Sequence, residues 1–588
     1  VAARLKAPDG FIGGHGQDNR HDSTGDSVTV DSIKLVSNTT SDMPRVLLGD
    51  LLLQRGLVRE DHIQYALQEQ KITRERIGKI LERCGFVTQY DIATVVAGQE
   101  GLDYLDVSRV VPEDEALRLF SLNLCMTHHF LPTQVSDGKI HVITSNSDLD
   151  ELQQVVARHC GLKPVICQGE NSKIKTAIQH YYYFLDNPIE DILQREIINI
   201  SIDDEQIHTL DSLLTNMFRL AVKYRATDIH IRPMEQSVNV SFRIDGILRP
   251  MFSLAPNLQR IISTIKIRAS MDIAQQRLPQ DGGFTVKILD NDYDVRVSTT
   301  VSPQGENVVL RILSRNIGPL HFQELGFLEE DVSKLTQIFN HPHGLILLTG
   351  PTGSGKTTTL FAGVRGQDLL GKNVLTVENP IEYKVSLIRQ TEVNEKAGYT
   401  FATAIRHFLR HDPDIILVGE IRDTETAQTA ITAAETGHLV LSTLHTNDVF
   451  GVIPRLHSLG VSAAMLADSL IGVVSQRLLR RICDNCKESY SPDQDELDYL
   501  QGHALNRLWR GRGCDVCLGT GFYGRVPVYE ILRVNQDLMA AVAQGDRLEV
   551  VRDIARQQGF ESMFDTAVKK LASGITSVAE VKRILGSN

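Results

Sequence analysis

The residues best suited to chemistry in this chain are Gly350-Pro351-Thr352-Gly353-Ser354-Gly355-Lys356-Thr357, followed by Thr358. Glycines at this spacing let successive backbone N–H groups turn inward around phosphate oxygens at the positive end of a helix. A lysine adds charge toward the β- and γ-phosphates, and a Ser or Thr hydroxyl can ligate Mg²⁺. Such a loop needs a strand running into it and a helix leaving it. The apolar run GLILLT and the helical stretch after Lys356 supply both, so ATP with Mg²⁺ is the expected ligand, against a plain Gly-rich loop. Further on, Asp412-Pro413-Asp414 leads into an apolar strand ending in Glu420, which is placed to hold a Mg²⁺-bound water where ligands of open α/β sheets collect. Between the two, Glu378-Asn379-Pro380-Ile381-Glu382 presents two carboxylates on one turn. One could orient or deprotonate the attacking water; otherwise they are solvated loop acids. His438 and His445 bracket the strand LVLSTL, and by spacing alone ordinary hydrogen bonds account for them.

A second constellation is Cys483-Asp484-Asn485-Cys486 with Cys514-Asp515-Val516-Cys517, two CxxC pairs about 27 residues apart. Four thiolates on two tight turns suit tetrahedral Zn²⁺ with no open position, hence a structural metal; a redox disulfide is the alternative. The other four cysteines, Cys84, Cys125, Cys160 and Cys167, are scattered and read as small buried apolar residues.

Elements must position these groups. The runs GLILLTG, NVLTV, DIILVG and HLVLSTLHT are apolar throughout and spaced by helical segments, which predicts a largely parallel sheet buried on both faces within 317–588, with the cysteine module at 483–517. Upstream, a helical stretch and then alternating strands (VNVSFRIDG, FTVKIL, YDVRVSTT) predict an α+β domain over 207–316. The acidic, polar stretch 183–206 reads as a linker. Residues 44–182 combine a helical repeat with a small α/β lobe, and 1–43 lack periodicity and read as a disordered tail. The repeat has two 24-residue units, 47–70 and 76–99. In each, Gly stands third (Gly49, Gly78) and tenth (Gly56, Gly85), and Gln closes the unit (Gln70, Gln99).

At 588 residues the chain is too long for a single core and implies several domains. No apolar run approaches the ~20 residues of a spanning helix, and the N-terminus has no secretory-signal texture, so a cytosolic chain with peripheral membrane contact is expected. A net charge of −12 lacks the broad basic surface of nucleic-acid binders.

The segments GPTGSGKTT, VENPIEY, DPDIILVGEIRD and AETGHLVLSTLHT, in this order, together with TDIHIRP, FRIDGIL and RLPQDGG upstream, resemble the GspE/PilB-like secretion ATPases of type II secretion and type IV pilus assembly. The resemblance implies a RecA-like motor domain preceded by a PAS-like domain, working as a two-fold-symmetric homohexamer on an inner-membrane platform protein and a membrane-anchored cytoplasmic docking protein. It implies Walker A contacts from Lys356 and Thr357, an atypical Walker B acid in Glu420, a catalytic Glu382, and phosphate-sensing His438 and His445. Arginines of the PAS-like domain that reach ATP would be among Arg243, Arg296 and Arg311, the alternative being domain-packing salt bridges. The tetracysteine insertion resembles that of extension and secretion motors. Two positions depart from the pattern: Asn379 stands where Asp is usual and Arg232 where Glu is usual. The 24-residue repeat resembles an MshE-like cyclic-di-GMP-binding module whose units begin Arg-Leu-Gly. Arg76-Ile77-Gly78 complies, and Leu47-Leu48-Gly49 does so only if Arg45 reaches in. A purely docking role for this domain is the alternative. For the whole chain, a nucleotide-gated scaffold with little turnover and a RecA-like DNA translocase are the competing functions.

Overall fold

Both repeat units fold as helix–turn–helix pairs, α1 (Leu48–Gln54) with α2 (Glu60–Thr73) and α3 (Ile77–Arg83) with α4 (Gln89–Glu100). The computed structural model describes residues 47–202, 207–314, 321–382, 384–503 and 505–586; the expected tail 1–43 lies outside them. The tenth-position glycines make the turns: Gly56 and Gly85 have φ of 67° and 78°, which a Cβ disfavours. The third-position glycines allow close packing, since a Cβ on Gly78 would stand 3.1 Å from Leu48 Cδ2. The four helices share a core of Leu52, Val58, Ile80, Leu81 and Val87.

Strands β1 (Phe130–Ser136), β2 (Lys139–Thr144) and β3 (Lys163–Gln168) form the expected small lobe, β1 antiparallel and β3 parallel to β2. The expected linker is a correction. Helix Asn171–Asp186 runs into it, and Ile189–Ile202 is a second helix whose Ile189, Leu193 and Ile200 are buried in the core of the following domain. These positions, with Ile197, recur at helical spacing, so an apolar stripe lies under the acidic texture. That following domain is a fully antiparallel sheet of β4 (Ala226–Pro233), β5 (Val238–Ile244), β6 (Ile247–Leu254), β7 (Gln280–Ile288), β8 (Asn291–Ser302) and β9 (Gly305–Ser314), in the order β6-β5-β4-β9-β8-β7.

The motor sheet holds β10 (Gly344–Thr349), β11 (Val374–Glu378), β12 (Arg389–Glu392), β13 (Ile415–Val418), β14 (Leu439–Leu444) and β15 (Leu470–Ile482). Two short strands, β16 (Lys487–Tyr490) and β17 (Leu508–Gly511), make a separate hairpin in the cysteine module, and β18 (Phe522–Arg533) returns to the sheet. Its order is β12-β11-β13-β14-β10-β15-β18, parallel except for β18. Every residue of β10, β13 and β14 is buried, which is why these strands read as unbroken apolar runs. Among the described residues no helix is long and apolar enough to cross a membrane.

Candidate functional site

The loop between β10 and the helix Lys356–Arg365 has the backbone a phosphate cradle needs. Gly350, Gly353 and Gly355 take φ of 135°, 76° and 87°, the last capping the helix start. The structure thus gathers Gly350, Pro351, Thr352, Gly353, Ser354, Gly355, Lys356, Thr357 and Thr358 at the C-terminal edge of the parallel strands, where open α/β sheets bind ligands. Lys356 is nearly buried, and its Nζ donates to the carbonyls of Gly350 at 2.9 Å and Pro351 at 3.1 Å. Burial lowers its pKa, and the charge of Glu420 opposes that shift.

Glu420 lies at the same edge, two residues past β13. One of its carboxylate oxygens meets Arg422 Nη2 at 2.6 Å and the other His445 Nε2 at 3.6 Å. Lys356, Glu420 and His445 are therefore brought to one end of the sheet. His438 is not. The parallel register sets Leu439 against Gly344 and Leu444 against Thr349, so His445 flanks the phosphate loop and His438 lies at the other end of the strand, about 20 Å away at 3.3 Å per residue. There its Nδ1 sits 2.9 Å from the Ala433 carbonyl, an ordinary helix-end contact.

The two acids of the 378–382 turn separate by environment. Glu378 is buried and accepts from Thr376 Oγ1 at 2.7 Å and Gln390 Nε2 at 2.9 Å, and burial pushes its pKa up. Glu382 faces solvent, as does Asn379.

The arginines assemble in a way no local pattern reveals. Asp228 of β4 faces Arg243 on β5 and Arg311 on β9, and Arg311 faces Arg296 on β8. Directly paired residues share one face of a sheet, so the three guanidinium groups and one carboxylate form a row across four strands. The Asp228 carboxylate is 3.0 Å from Arg311 Nε and 3.6 Å from Arg243 Nε. Buried His230, two residues along from Asp228, has its pKa lowered by burial and by the charges of Arg243, Arg232 and Arg311. The strip is thus basic, and Arg232 extends it.

In the cysteine module the Sγ atoms of Cys483 and Cys514 are 3.8 Å apart, those of Cys486 and Cys517 3.8 Å, and those of Cys514 and Cys517 3.7 Å. A regular tetrahedron with Zn–S of about 2.3 Å has S···S edges of about 3.8 Å, so the four residues fit that ion. All four are free thiols rather than disulfides. N–H groups already point at them: Asn485 Nδ2 donates to Cys514 Sγ at 3.3 Å, and the backbone of Gly521 to Cys517 Sγ at 3.2 Å.

In the repeat, the turn at Gly56 is open, whereas a Cβ on Gly85 would lie 3.8 Å from both Arg365 Nη1 and Leu369 Cδ1, at the far end of the helix that leaves the phosphate loop. Arg59 pairs with Asp368 at 2.7 Å and His321 with Asp91 at 2.8 Å on the same seam. Burial there pushes Glu324 up to about 7 and Arg365 down to about 10. Arg76 is exposed at the start of α3, and Gln70 donates to the Glu75 carbonyl at 2.8 Å, across the spacer between the units. Sequence reasoning missed Arg422 and Gln476; their signals were a guanidinium two residues after Glu420 and a polar pair, Ser475-Gln476, directly after the apolar start of a strand.

A family model described as Type II/IV secretion system protein matches residues 203–583, and one described as MshEN domain matches 100–187, beginning just after the two repeats. The chain is 35% identical to the type IV pilus assembly ATPase PilB of Thermus thermophilus over 91% of its length, and spans 65% of that relative. It is 33% identical to the type II secretion system protein E of Xanthomonas campestris, covering 91% of this chain and 97% of that one. The type II secretion system ATPase E of Vibrio cholerae is 39% identical over 67% of this chain and 78% of its own. Among solved structures, the ATPase DotB of Legionella pneumophila superposes with a TM-score of 0.51 at 21% identity, over 66% of this chain and 98% of that one, a likeness of fold.

Proposed function

The chain belongs to the family of type II/IV secretion system proteins, a family of P-loop ATPases, and from that premise we propose that it is a homohexameric motor powering pilin or pseudopilin assembly. The observation that carries the reading is the convergence of the phosphate loop, Lys356, Glu420 and His445 on one edge of a parallel sheet. Backbone N–H groups and Lys356 hold the phosphates of ATP, Thr357 and Glu420 serve Mg²⁺ and its water, and Glu382 is the solvent-facing carboxylate available to the attacking water. His445 and Arg422, both facing the Glu420 carboxylate, orient it. The motor works in the cytoplasm, peripherally at the inner membrane, against a platform protein and a membrane-anchored docking protein; nucleic acid is not a partner, in keeping with the net charge of −12.

Hexamer formation is supported by the arginine strip. Arg243 and Arg311 find their partners, Asp228 and the Gly246 carbonyl, within their own sheet, leaving a basic face suited to phosphates of an adjoining subunit. Exposed Ile273 and Leu278 give the same domain an apolar edge for that contact. Arg311→Ala should lower ATP turnover about tenfold or more while light scattering with a non-hydrolysable ATP analogue still returns a hexamer. Monomer for the wild type across micromolar concentrations would contradict the assembly.

The repeat is proposed to bind cyclic-di-GMP through Arg76, Gly78 and Gly85, and through Gly49 and Gly56 of the first unit. Because Gly85 faces Arg365 and Leu369, ligand and motor helix compete for one surface, and that competition is how binding would alter the motor's rate. Calorimetry on the full chain should give micromolar binding that Arg76→Ala abolishes. No heat at tens of micromolar ligand would leave docking as the domain's role.

A further inference from the structure

We infer that Gln476 is a positioning residue for nucleotide binding: its side-chain amide fixes the orientation of the Ser354–Gly355 peptide in the phosphate loop. The inference rests on the nucleotide reading of that loop. Gln476 lies on β15, which runs parallel to β10 with Ser475 opposite Thr349, so Gln476 stands level with the first residue of the loop. The approach is close on both sides. A Cβ on Gly350 would collide with the Gln476 carbonyl oxygen, and one on Gly355 would stand 2.9 Å from its Nε2.

The side chain is 2% exposed and uses both ends of its amide. Nε2 donates to the Ser354 carbonyl at 2.6 Å, and Oε1 accepts from Thr359 Oγ1 at 2.8 Å, in the first turn of the helix that follows the loop. The chemistry dictates this orientation. The Ser354 carbonyl can only accept, so the NH₂ end must face it, and the Thr359 hydroxyl then supplies the proton for Oε1. A trans peptide is planar, with its C=O and N–H pointing in opposite directions. Drawing the Ser354 carbonyl toward β15 therefore turns the Gly355 N–H to the opposite side, the side on which a cradled phosphate would sit. Gly355, at φ 87°, tolerates either orientation of this peptide, so something outside the loop must choose. Gln476 makes that choice, and Thr359 locks the amide that makes it.

A polar residue buried only for packing would show itself in stability; a positioning residue shows itself in nucleotide affinity. Gln476→Glu is isosteric but sets an acceptor against the Ser354 carbonyl. Thr359→Val keeps the shape and removes only the hydroxyl, and Thr359→Ser restores it. On the full chain, affinity for ADP and for a non-hydrolysable ATP analogue should fall about tenfold or more in Gln476→Glu and about threefold or more in Thr359→Val. Thr359→Ser should bind like the wild type. KM for ATP should rise by the same factors with kcat at saturation changed less, and the zinc content should be unchanged. Wild-type affinities and KM in both Gln476→Glu and Thr359→Val, or a lowered thermal midpoint with KM unmoved, would overturn the inference. Failure of the wild type itself to bind either nucleotide would instead sink the nucleotide reading on which it rests.

Discussion

Lys356→Ala is expected to abolish ATP hydrolysis, with at least a hundredfold loss of turnover. That is the scale, about 3 kcal/mol or more, of removing one preorganised charge donor from a water-excluded site. The structure gives the reason for so large an effect. The ammonium is nearly buried at the mouth of the helix and satisfied by the Gly350 and Pro351 carbonyls; burial lowers its pKa, and the charge of Glu420 opposes that shift. Removing it leaves the helix end and the backbone N–H groups, which still attract phosphate, so residual nucleotide binding should outlast hydrolysis. Glu420→Gln separates the two functions in another way. It keeps the shape, removes the negative charge that Arg422 and His445 both face, and withdraws the counter-charge from Lys356. Nucleotide should still bind while phosphate release falls to background. Steady-state phosphate release measures both variants. Wild-type rates in either would refute the site, whereas a wild-type protein that binds nucleotide tightly and releases almost no phosphate would favour the scaffold alternative.

The parts of this molecule legible in its sequence are those whose physics is local. A phosphate loop needs particular residues in immediate succession between a strand and a helix, and the cysteine pairs need only two short turns, so both appear as spacing. Apolar strands such as β13 and β14 announce a parallel sheet because both faces are covered. What depends on register does not appear. Three arginines could be named from the sequence, but the row they make with Asp228 requires four strands in a particular order and alignment. His438 and His445 look symmetric about their strand, and only its pairing with β10 tells which end meets the phosphate loop. Gln476 went unseen because its two partners come from a different segment of chain. The helix Ile189–Ile202 was misread for another reason: its acidic surface outweighed a stripe of Ile and Leu that only burial against the next domain explains.

Zinc removal is the second large effect expected, and it should be structural rather than catalytic. The ion would tie Cys483 and Cys486, at the end of β15, to Cys514 and Cys517, just before β18. Since β15 and β18 pair along most of their length, it would close the loop that joins two neighbouring strands of the motor sheet. By analogy with a covalent cross-link over a loop of about 30 residues, its loss would return about 3 to 4 kcal/mol of chain entropy to the unfolded state. The middle of the module is anchored elsewhere, Tyr499, Leu500 and Leu508 packing with Leu479, Val526 and Met563, so the effect centres on its cysteine end. There the core is the cysteines with Val516 and Tyr523, and the backbone runs so close at Gly511 and Gly521 that a Cβ on either would collide with the other. Without metal, four thiols of which three are buried would face one another. Native protein should carry one zinc per chain by mass spectrometry, and Cys514→Ser or chelation should lower the thermal midpoint by several degrees, about 10 °C at most. Because the cysteines lie far along β15 from Gln476 and the phosphate loop, nucleotide affinity at low temperature should be almost unchanged. Substoichiometric zinc unaffected by Cys514→Ser would refute the metal site. A loss of nucleotide affinity matching the loss of zinc would show instead that the module acts on the nucleotide site directly.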